Sequence, residues 1–389
     1  MEITDVRAVP LSATVPKTDR HRTDLGTKVK VDTVLVFIET DTEYTGIGAA
    51  LPVPTSPATA VAAVLEESLA PLLVNEDPRY TSRIWEKLYS GTRWPAALER
   101  GHPQPRPDRR GITMEAIAGI DIALWDLRGK MLGEPVYRLL GGVRDSLPGY
   151  ASGWEIGDEA GTAKHFGESF NAVKIRLVGE KGFSIDAMEQ RVARARERLG
   201  PDATIMVDAH GSLNTATAIR IARRLEPYNL AFFEEPVSPD DPAGIAEVRQ
   251  STSIPIATGE RVFTRFEVLD LFERDAVDVI QPDVARAGGF TECLRIATLA
   301  SSYGVEMTPH GWGDGVTFAA SIHLAMATPN CRIMEVSQGN KPLTTDLFEE
   351  SFEICNGRVH APDRPGLGFT IRGDIEELFP YEPGPEYVY

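Results

Sequence analysis

Three carboxylates stand out for their spacing. Asp208, Glu234 and Glu260 are separated by 26 residues and then 26 again, about the length of one strand-plus-helix unit. If each ends a successive strand, the three converge on one point. Hard oxygen donors, without Cys or paired His, suit Mg²⁺ better than zinc and leave coordination positions for water or substrate. Acidic residues also cap helices or pair with surface Lys and Arg. That plainer reading suffices for any one of these carboxylates but not for three in regular spacing.

Other ionisable residues follow the same rhythm. Asp283 and His310 lie one unit apart, and a carboxylate on one imidazole nitrogen fixes the tautomer and raises the basicity of the other, giving an acid/base pair. Lys174 and Arg176 alternate in Val173-Lys174-Ile175-Arg176, so both are expected on one side of a strand. The guanidinium there is expected to depress the lysine toward a usable base. His210, two after Asp208, is expected to share its face, as acid/base residue, substrate hydrogen-bonder or partner of a ligand. Glu335 can orient a substrate carboxylate. Together these groups suit removal of a proton next to a carboxylate, a very weak carbon acid unless the developing charge is neutralised by a divalent cation while Lys or His takes the proton.

Such a ring needs strands to present it. From about Leu147 the chain repeats a short apolar run, a polar break and an amphipathic stretch, the pattern of βα units. The runs are Gly149–Gly153, Ala172–Leu177, Thr204–His210, Ala231–Glu235, Ile254–Glu260, Val277–Asp283, Val305–His310 and Arg332–Val336. Eight parallel strands, each followed by a helix, predict an α/β fold, a closed (β/α)₈ (modified TIM) barrel whose C-terminal strand ends form the active face. Residues 1–120 read as an α+β capping domain, with a hairpin of Thr33–Thr40 and Glu43–Ala49 and helices over Ala58–Leu73 and Ser82–Tyr89. Residues 121–355 read as the catalytic barrel, and 356–389 as a Pro-rich tail packing back on the cap. The Pro- and Arg-rich segment Arg93–Gly111 is expected to be loop.

Length and charge narrow the class. The chain has 389 residues, enough for a barrel of about 250 and a second module of roughly 100. Its formal net charge of -17 opposes phosphate backbones and anionic lipid, so neither nucleic acid nor membrane is an expected partner. No run of about 18 apolar residues is present, and the N-terminus lacks a signal-peptide pattern. Cys293, Cys331 and Cys355 form no C-x-x-C pair, as expected of free thiols in a reducing cytoplasm.

The stretch MEAIAGIDIALWDLRGK from Met114, LLGG from Leu139, and then VKIR, VDAHG, FFEEP, GER, QPD and TPHG in that order resemble the mandelate racemase branch of the enolase superfamily over nearly the whole chain. Enolase-superfamily sites are a known example of pKa tuning, in which a Lys or His base works beside Mg²⁺ that stabilises an enediolate. The resemblance implies one Mg²⁺ per subunit on Asp208, Glu234 and Glu260, and an acid/base dyad of His310 with Asp283. Lys174 matches the lysine of a K-x-K motif, with Arg176 at its last position. Glu335 would hydrogen-bond the substrate carboxylate, and Glu235 would support a ligand. The D-x-H of Asp208-Ala209-His210, GERVFTRFE and QPDVARAGGFTEC are similar to sugar-acid dehydratases, notably the galactonate dehydratase group, in which the His two after the first ligand takes part in catalysis; retention of Lys174 is unlike that group.

The leading expectation is therefore dehydration of an aldonate or aldarate to a 2-keto-3-deoxy acid, with His310 or His210 delivering a proton to the leaving hydroxyl. The alternatives are racemisation or epimerisation between Lys174 and His310, lactone cycloisomerisation, and a barrel that only binds. The charged loop Asp19–Asp24, with His21 and Arg22, suits a polyol, and Trp312 after the catalytic His is expected to touch substrate. Arg176, His21, Arg22 and Trp312 are the expected substrate-binding set. The expected partner is a small hydroxy-carboxylate, and a homo-oligomer, from dimer to octamer, is expected.

Overall fold

The computed structural model describes residues 1–17, 20, 22–23, 25–52, 56–154, 170–177, 184–338 and 341–389. The chain opens with a long strand β1 (Ile3–Thr14), a small hairpin β2 (Arg22–Thr23) and β3 (Gly26–Lys28), and then β4 (Lys30–Thr40) and β5 (Thr45–Ala50). β4 pairs antiparallel with β1 on one edge and β5 on the other. β-branched residues dominate β4 (KVDTVLVFIET) and suit this central, almost wholly buried position.

A 21-residue helix, Ile112–Leu132, packs on that sheet. It is apolar on nearly every face, as a helix buried between two layers must be. Its approach to β5 is so close that a Cβ on Gly48 would stand 2.0 Å from the carbonyl oxygen of Gly119, so only glycine fits. Asp126 fastens the layers: its Oδ2 accepts from Ile47 N and its Oδ1 from Leu367 N, each at 2.8 Å.

Two expectations for the cap are corrected. The Arg93–Gly111 loop contains a helix, Trp94–Arg100; Pro95 falls in its first turn, where no N–H is needed, and Gly101 ends it at φ 71. The expected Ala58–Leu73 helix is α-helical only to Ala63, then π-helical over Val64–Leu69 and 3₁₀ over Ala70–Leu72. Pro71 lacks the N–H that would continue the regular ladder.

Eight parallel strands follow: β6 (Ser146–Trp154), β7 (Ala172–Arg176), β8 (Thr204–Asp208), β9 (Phe233–Glu234), β10 (Ile256–Thr258), β11 (Val279–Ile280), β12 (Glu306–Met307) and β13 (Met334–Ser337). Each falls within or overlaps an expected run, and most stop short of its C-terminal end. The spatial order is β13-β6-β7-β8-β9-β10-β11-β12. No β-ladder joins β12 to β13 among the described residues; there Met307 N donates to Asn330 O at 3.0 Å, and the Asn330 side chain donates to Val305 O, also at 3.0 Å.

Tyr150, Ala172, Met206, Phe232, Ala257 and Val279 form one buried cluster on the inner face of these strands. Because strand side chains repeat with period two, the next inward positions are Ser152, Lys174, Asp208, Glu234, Gly259 and Gln281. An apolar floor thus passes directly into a polar rim. A larger apolar core lies between strands and outer helices.

After the barrel, β14 (Ile354–Cys355) and β15 (Arg358–His360) form a hairpin on β6. The last strand, β16 (Tyr387–Val388), pairs with β3. Among the described residues no helix is long and apolar enough to cross a membrane, and the three cysteines are unpaired.

Candidate active site

Lys174, Asp208, Glu234 and Glu335 rise from β7, β8, β9 and β13, all buried. Glu260, Asp283 and His310 lie two or three residues beyond the ends of β10, β11 and β12, not on the strands as expected. Each has already left the ladder at a turn. For Glu260 the turn is Gly259, at φ 140, where a Cβ would stand 2.7 Å from Gln281 N.

His310 and Asp283 meet as expected, with Nδ1 and Oδ2 2.7 Å apart. A second Asp283 oxygen accepts from Ala285 N at 2.8 Å, which fixes the carboxylate. The carboxylate accepts from Nδ1 and fixes the proton there, which leaves Nε2, 3.5 Å from Glu260 Oε2, as the nitrogen that gains or loses one. Burial works against a charged ring, but the Glu260 charge and the Asp283 hydrogen bond outweigh it and raise His310 above its ordinary value.

Lys174 corrects an expectation. Its Nζ donates to both oxygens of Glu234, at 2.7 and 2.9 Å, and lies 2.7 Å from Glu335 Oε1. Burial disfavours the ammonium, yet Glu234 and then Glu335 raise Lys174 well above the ordinary lysine value rather than lowering it. Arg176 stands instead 3.4 Å from Asp208. As arranged here Lys174 is a cation. Glu335, despite burial, is lowered to about 2 by Lys174 and His310 together with hydrogen bonds from Lys174 and Ser152. It also accepts from Gly311 N at 2.9 Å and Trp312 Nε1 at 3.1 Å.

His210 reaches the site by a different route from strand alternation. β8 ends at Asp208, and His210 takes a left-handed conformation, φ 52, with its N–H on Asp208 Oδ1 at 2.7 Å. Its Nε2 then lies 3.7 Å from Glu260 Oε1. Glu235, also left-handed at φ 39, is wholly buried against Arg261, whose NH2 lies 3.0 Å from Oε2.

His210, Glu235 and Glu260 each offer an atom within 4.8 Å of the others. The expected trio is not gathered so tightly. Asp208 and Glu234 are direct cross-strand neighbours, but Glu234 is turned to Lys174 and to Gln281, whose Nε2 donates at 2.7 Å. The donor set nevertheless fits a hard divalent cation. Among the described residues, Asp208, Glu234, Glu235, Glu260, Asp283 and Glu335 outnumber Lys174, Arg176, Arg261 and Arg286 around one buried rim, and neither Glu235 oxygen accepts a hydrogen bond. Burial, added to by the neighbouring carboxylates and opposed by Lys174, raises Glu234 to about 7. The other such group among the described residues, Glu353, Cys355 and His360, sits outside this rim on the β14–β15 hairpin.

His21 lies outside the described residues. Arg22 is in β2, and its side chain is also outside them. Trp312 reaches the rim through Glu335. Gln281, Arg261 and Tyr150 were not anticipated: Lys174 Nζ lies 5.6 Å from the centroid of the buried Tyr150 ring. Gln281, two residues before Asp283 in QPD, could have been found from the same period-two rule that places Lys174.

A capped barrel with its ionisable groups at the C-terminal strand ends defines an enolase-type architecture. Residues 7–141 match the family described as mandelate racemase / muconate lactonizing enzyme, N-terminal domain, and residues 157–375 match enolase C-terminal domain-like. The chain belongs to this family. It is 36% identical to a D-galactarolactone cycloisomerase of Agrobacterium fabrum, over 88% of this chain and 89% of that one. To a D-galactonate dehydratase of Ralstonia nicotianae it is 37% identical, over 86% and 87%. A racemase from Streptomyces coelicolor, solved with bound magnesium, superposes with TM-score 0.82 at 29% identity, over 97% and 98% of the two chains.

Proposed function

We propose that this protein is a Mg²⁺-dependent sugar-acid dehydratase, acting on an aldonate or aldarate within a closed (β/α)₈ barrel. The observation that carries the reading is His310 held at 2.7 Å by Asp283, with Nε2 aimed at the carboxylate rim. A galactonate dehydratase among the relatives and a magnesium-bound structural neighbour support it. A divalent cation held by Asp208, Glu234 and Glu260 would offset the charge that builds on the substrate carboxylate. His310 Nε2 takes the α-proton, and Asp283 stabilises the imidazolium. Lys174, held as a cation beside Glu335, orients the substrate carboxylate. His210, on the Glu260 side of the rim, delivers a proton to the departing C3 hydroxyl. Loss of water leaves an enol that becomes the 2-keto-3-deoxy acid.

The test is incubation of purified protein with Mg²⁺ and a panel of aldonates and aldarates, with detection of the keto acid. A second reading, 1,1-proton transfer or lactone cycloisomerisation, is favoured by Lys174 on the same rim and by the cycloisomerase relative. Deuterium incorporation at the α-carbon with no keto acid from any substrate rejects dehydration in its favour.

A further inference from the structure

One cation beside the site has no part in this chemistry. Lys341 immediately precedes the short helix Pro342–Thr345 that follows β13. Its Nζ lies 3.5 Å from the centroid of the Trp312 ring and is buried, with no hydrogen-bond partner among the described residues. The same indole donates to Glu335 Oε1, and that oxygen contacts Lys174 Nζ. Lys341 is therefore linked to the reaction centre through one ring and one carboxylate.

A second cation approaches from the cap. Lys28, on β3, places its Nζ 6.0 Å from the Trp312 centroid and 5.7 Å from that of Tyr387. Lys28 has a counter-charge in Glu386, and the counter-charge to Lys341 among the described residues is Glu335. Burial, reinforced by the charge of Lys28, pushes Lys341 well below its ordinary value. A cation–π contact returns less than desolvating an ammonium takes away, so Trp312 alone does not account for Lys341. An anion between the two lysines does. The carboxylate that reacts is assigned to the metal rim and Lys174, so this second anionic group must sit at the other end of the same molecule.

We propose that Lys341, assisted by Lys28 and seated on Trp312, is the subsite for a distal carboxylate, and that the substrates are sugar diacids rather than aldonates. This deepens the sugar-acid reading of the site and rests on it. Trp312 is then the floor between the two ends of the substrate, and Lys341 is a specificity residue that does not touch the reacting atoms.

The test compares substrates that differ only at C6: galactarate with galactonate, and glucarate with gluconate. Dissociation constants are measured by calorimetry on the full-length, Mg²⁺-loaded protein. At least one diacid should bind tenfold or more tighter than its monoacid. Lys341→Gln should weaken that diacid roughly 10- to 100-fold, the range for a charge-assisted hydrogen bond, and the monoacid less than threefold. Lys341→Arg, which keeps the charge, should retain the preference, and thermal melts of both variants check folding. Aldonates bound as tightly as aldarates by wild type, equal weakening of both by Lys341→Gln, or no diacid bound at all overturns the proposal. Selective diacid binding without keto acid would reject dehydration and leave the subsite standing. Keto acid from galactonate, with binding indifferent to Lys341→Gln, would do the reverse.

Discussion

Asp283 determines what His310 can do. Without it the ring could rotate or carry its proton on Nε2, the nitrogen that the proposed mechanism needs free to accept one. Asp283→Asn keeps the shape and removes the acceptor charge, so kcat should fall by roughly 10²–10⁴, the usual worth of a positioned acid/base group. Mg²⁺ affinity should change less than threefold, because Asp283 contacts Ala285 N and His310, not the carboxylate trio. Steady-state kinetics with a calorimetric Mg²⁺ titration separates the two; a matching loss of metal affinity would show that Asp283 serves the cation. Glu260→Gln is the converse. It should weaken Mg²⁺ binding more than about tenfold while the protein stays folded, and unchanged Mg²⁺ affinity would remove Glu260 from the ligand set. At this scale the sequence shows which groups are present better than how they pair. Spacing leads to Lys174 and Asp283, but the lysine's charge state depends on Glu234, 60 residues away, and Glu335, not on Arg176 two residues on.

At the scale of elements, what was legible was period. Apolar runs repeating every βα unit place all eight strands, since a strand buried on both faces leaves a run of apolar residues whatever its partners. Their ends were less legible, because Glu260, Asp283 and His310 continue the pattern after ladder hydrogen bonding has stopped. The π-helical and 3₁₀ turns after Ala63 follow from a single proline inside an otherwise helical pattern. His323 shows a role that no motif announces. It lies in the buried helix Gly315–Ala327, accepts from Tyr137 N and donates to Leu367 O, both at 3.1 Å, and so joins that helix to the segment before the barrel and to the tail. Burial lowers it to about 4. A histidine depressed on folding gives stability that is fully present above the unfolded value near 6.5 and is lost as pH falls from there to about 4. At 1.36 kcal/mol per pKa unit the loss approaches about 3 kcal/mol. His323→Gln can make both hydrogen bonds without titrating. Denaturant unfolding from pH 7 to 4.5 should show a shallower decline for the variant, and parallel curves would rule out this contribution.

For the whole molecule, the question is how a small cap sheet is held over the barrel. Contacts from opposite ends of the chain do this. Thr33 Oγ1 donates to Asp314 Oδ2 at 2.6 Å, and Asp314 caps the helix beginning at Gly315, so the cap is tied to the turn after His310. Trp85 Nε1 donates to Gly288 O at 2.8 Å, just beyond Asp283. The tail closes the circuit. β16 pairs Tyr387 with Lys28 and Val388 with Thr27, Val29 N donates to Glu386 O, and Asp32 N donates to the Glu386 side chain. Removing residues 382–389 would release one edge of the β2–β3 hairpin while leaving every barrel carboxylate in place. Mg²⁺ affinity should then stay within about threefold of wild type, whereas KM for the sugar acid should rise by roughly tenfold or more, because a group displaced by about 1 Å loses most of its orienting effect. Proteolysis should also begin within residues 15–30. The two readouts need each other: a rise in KM with metal affinity intact assigns the tail to holding the cap over the substrate, and a loss of both would mean that the tail stabilises the barrel itself.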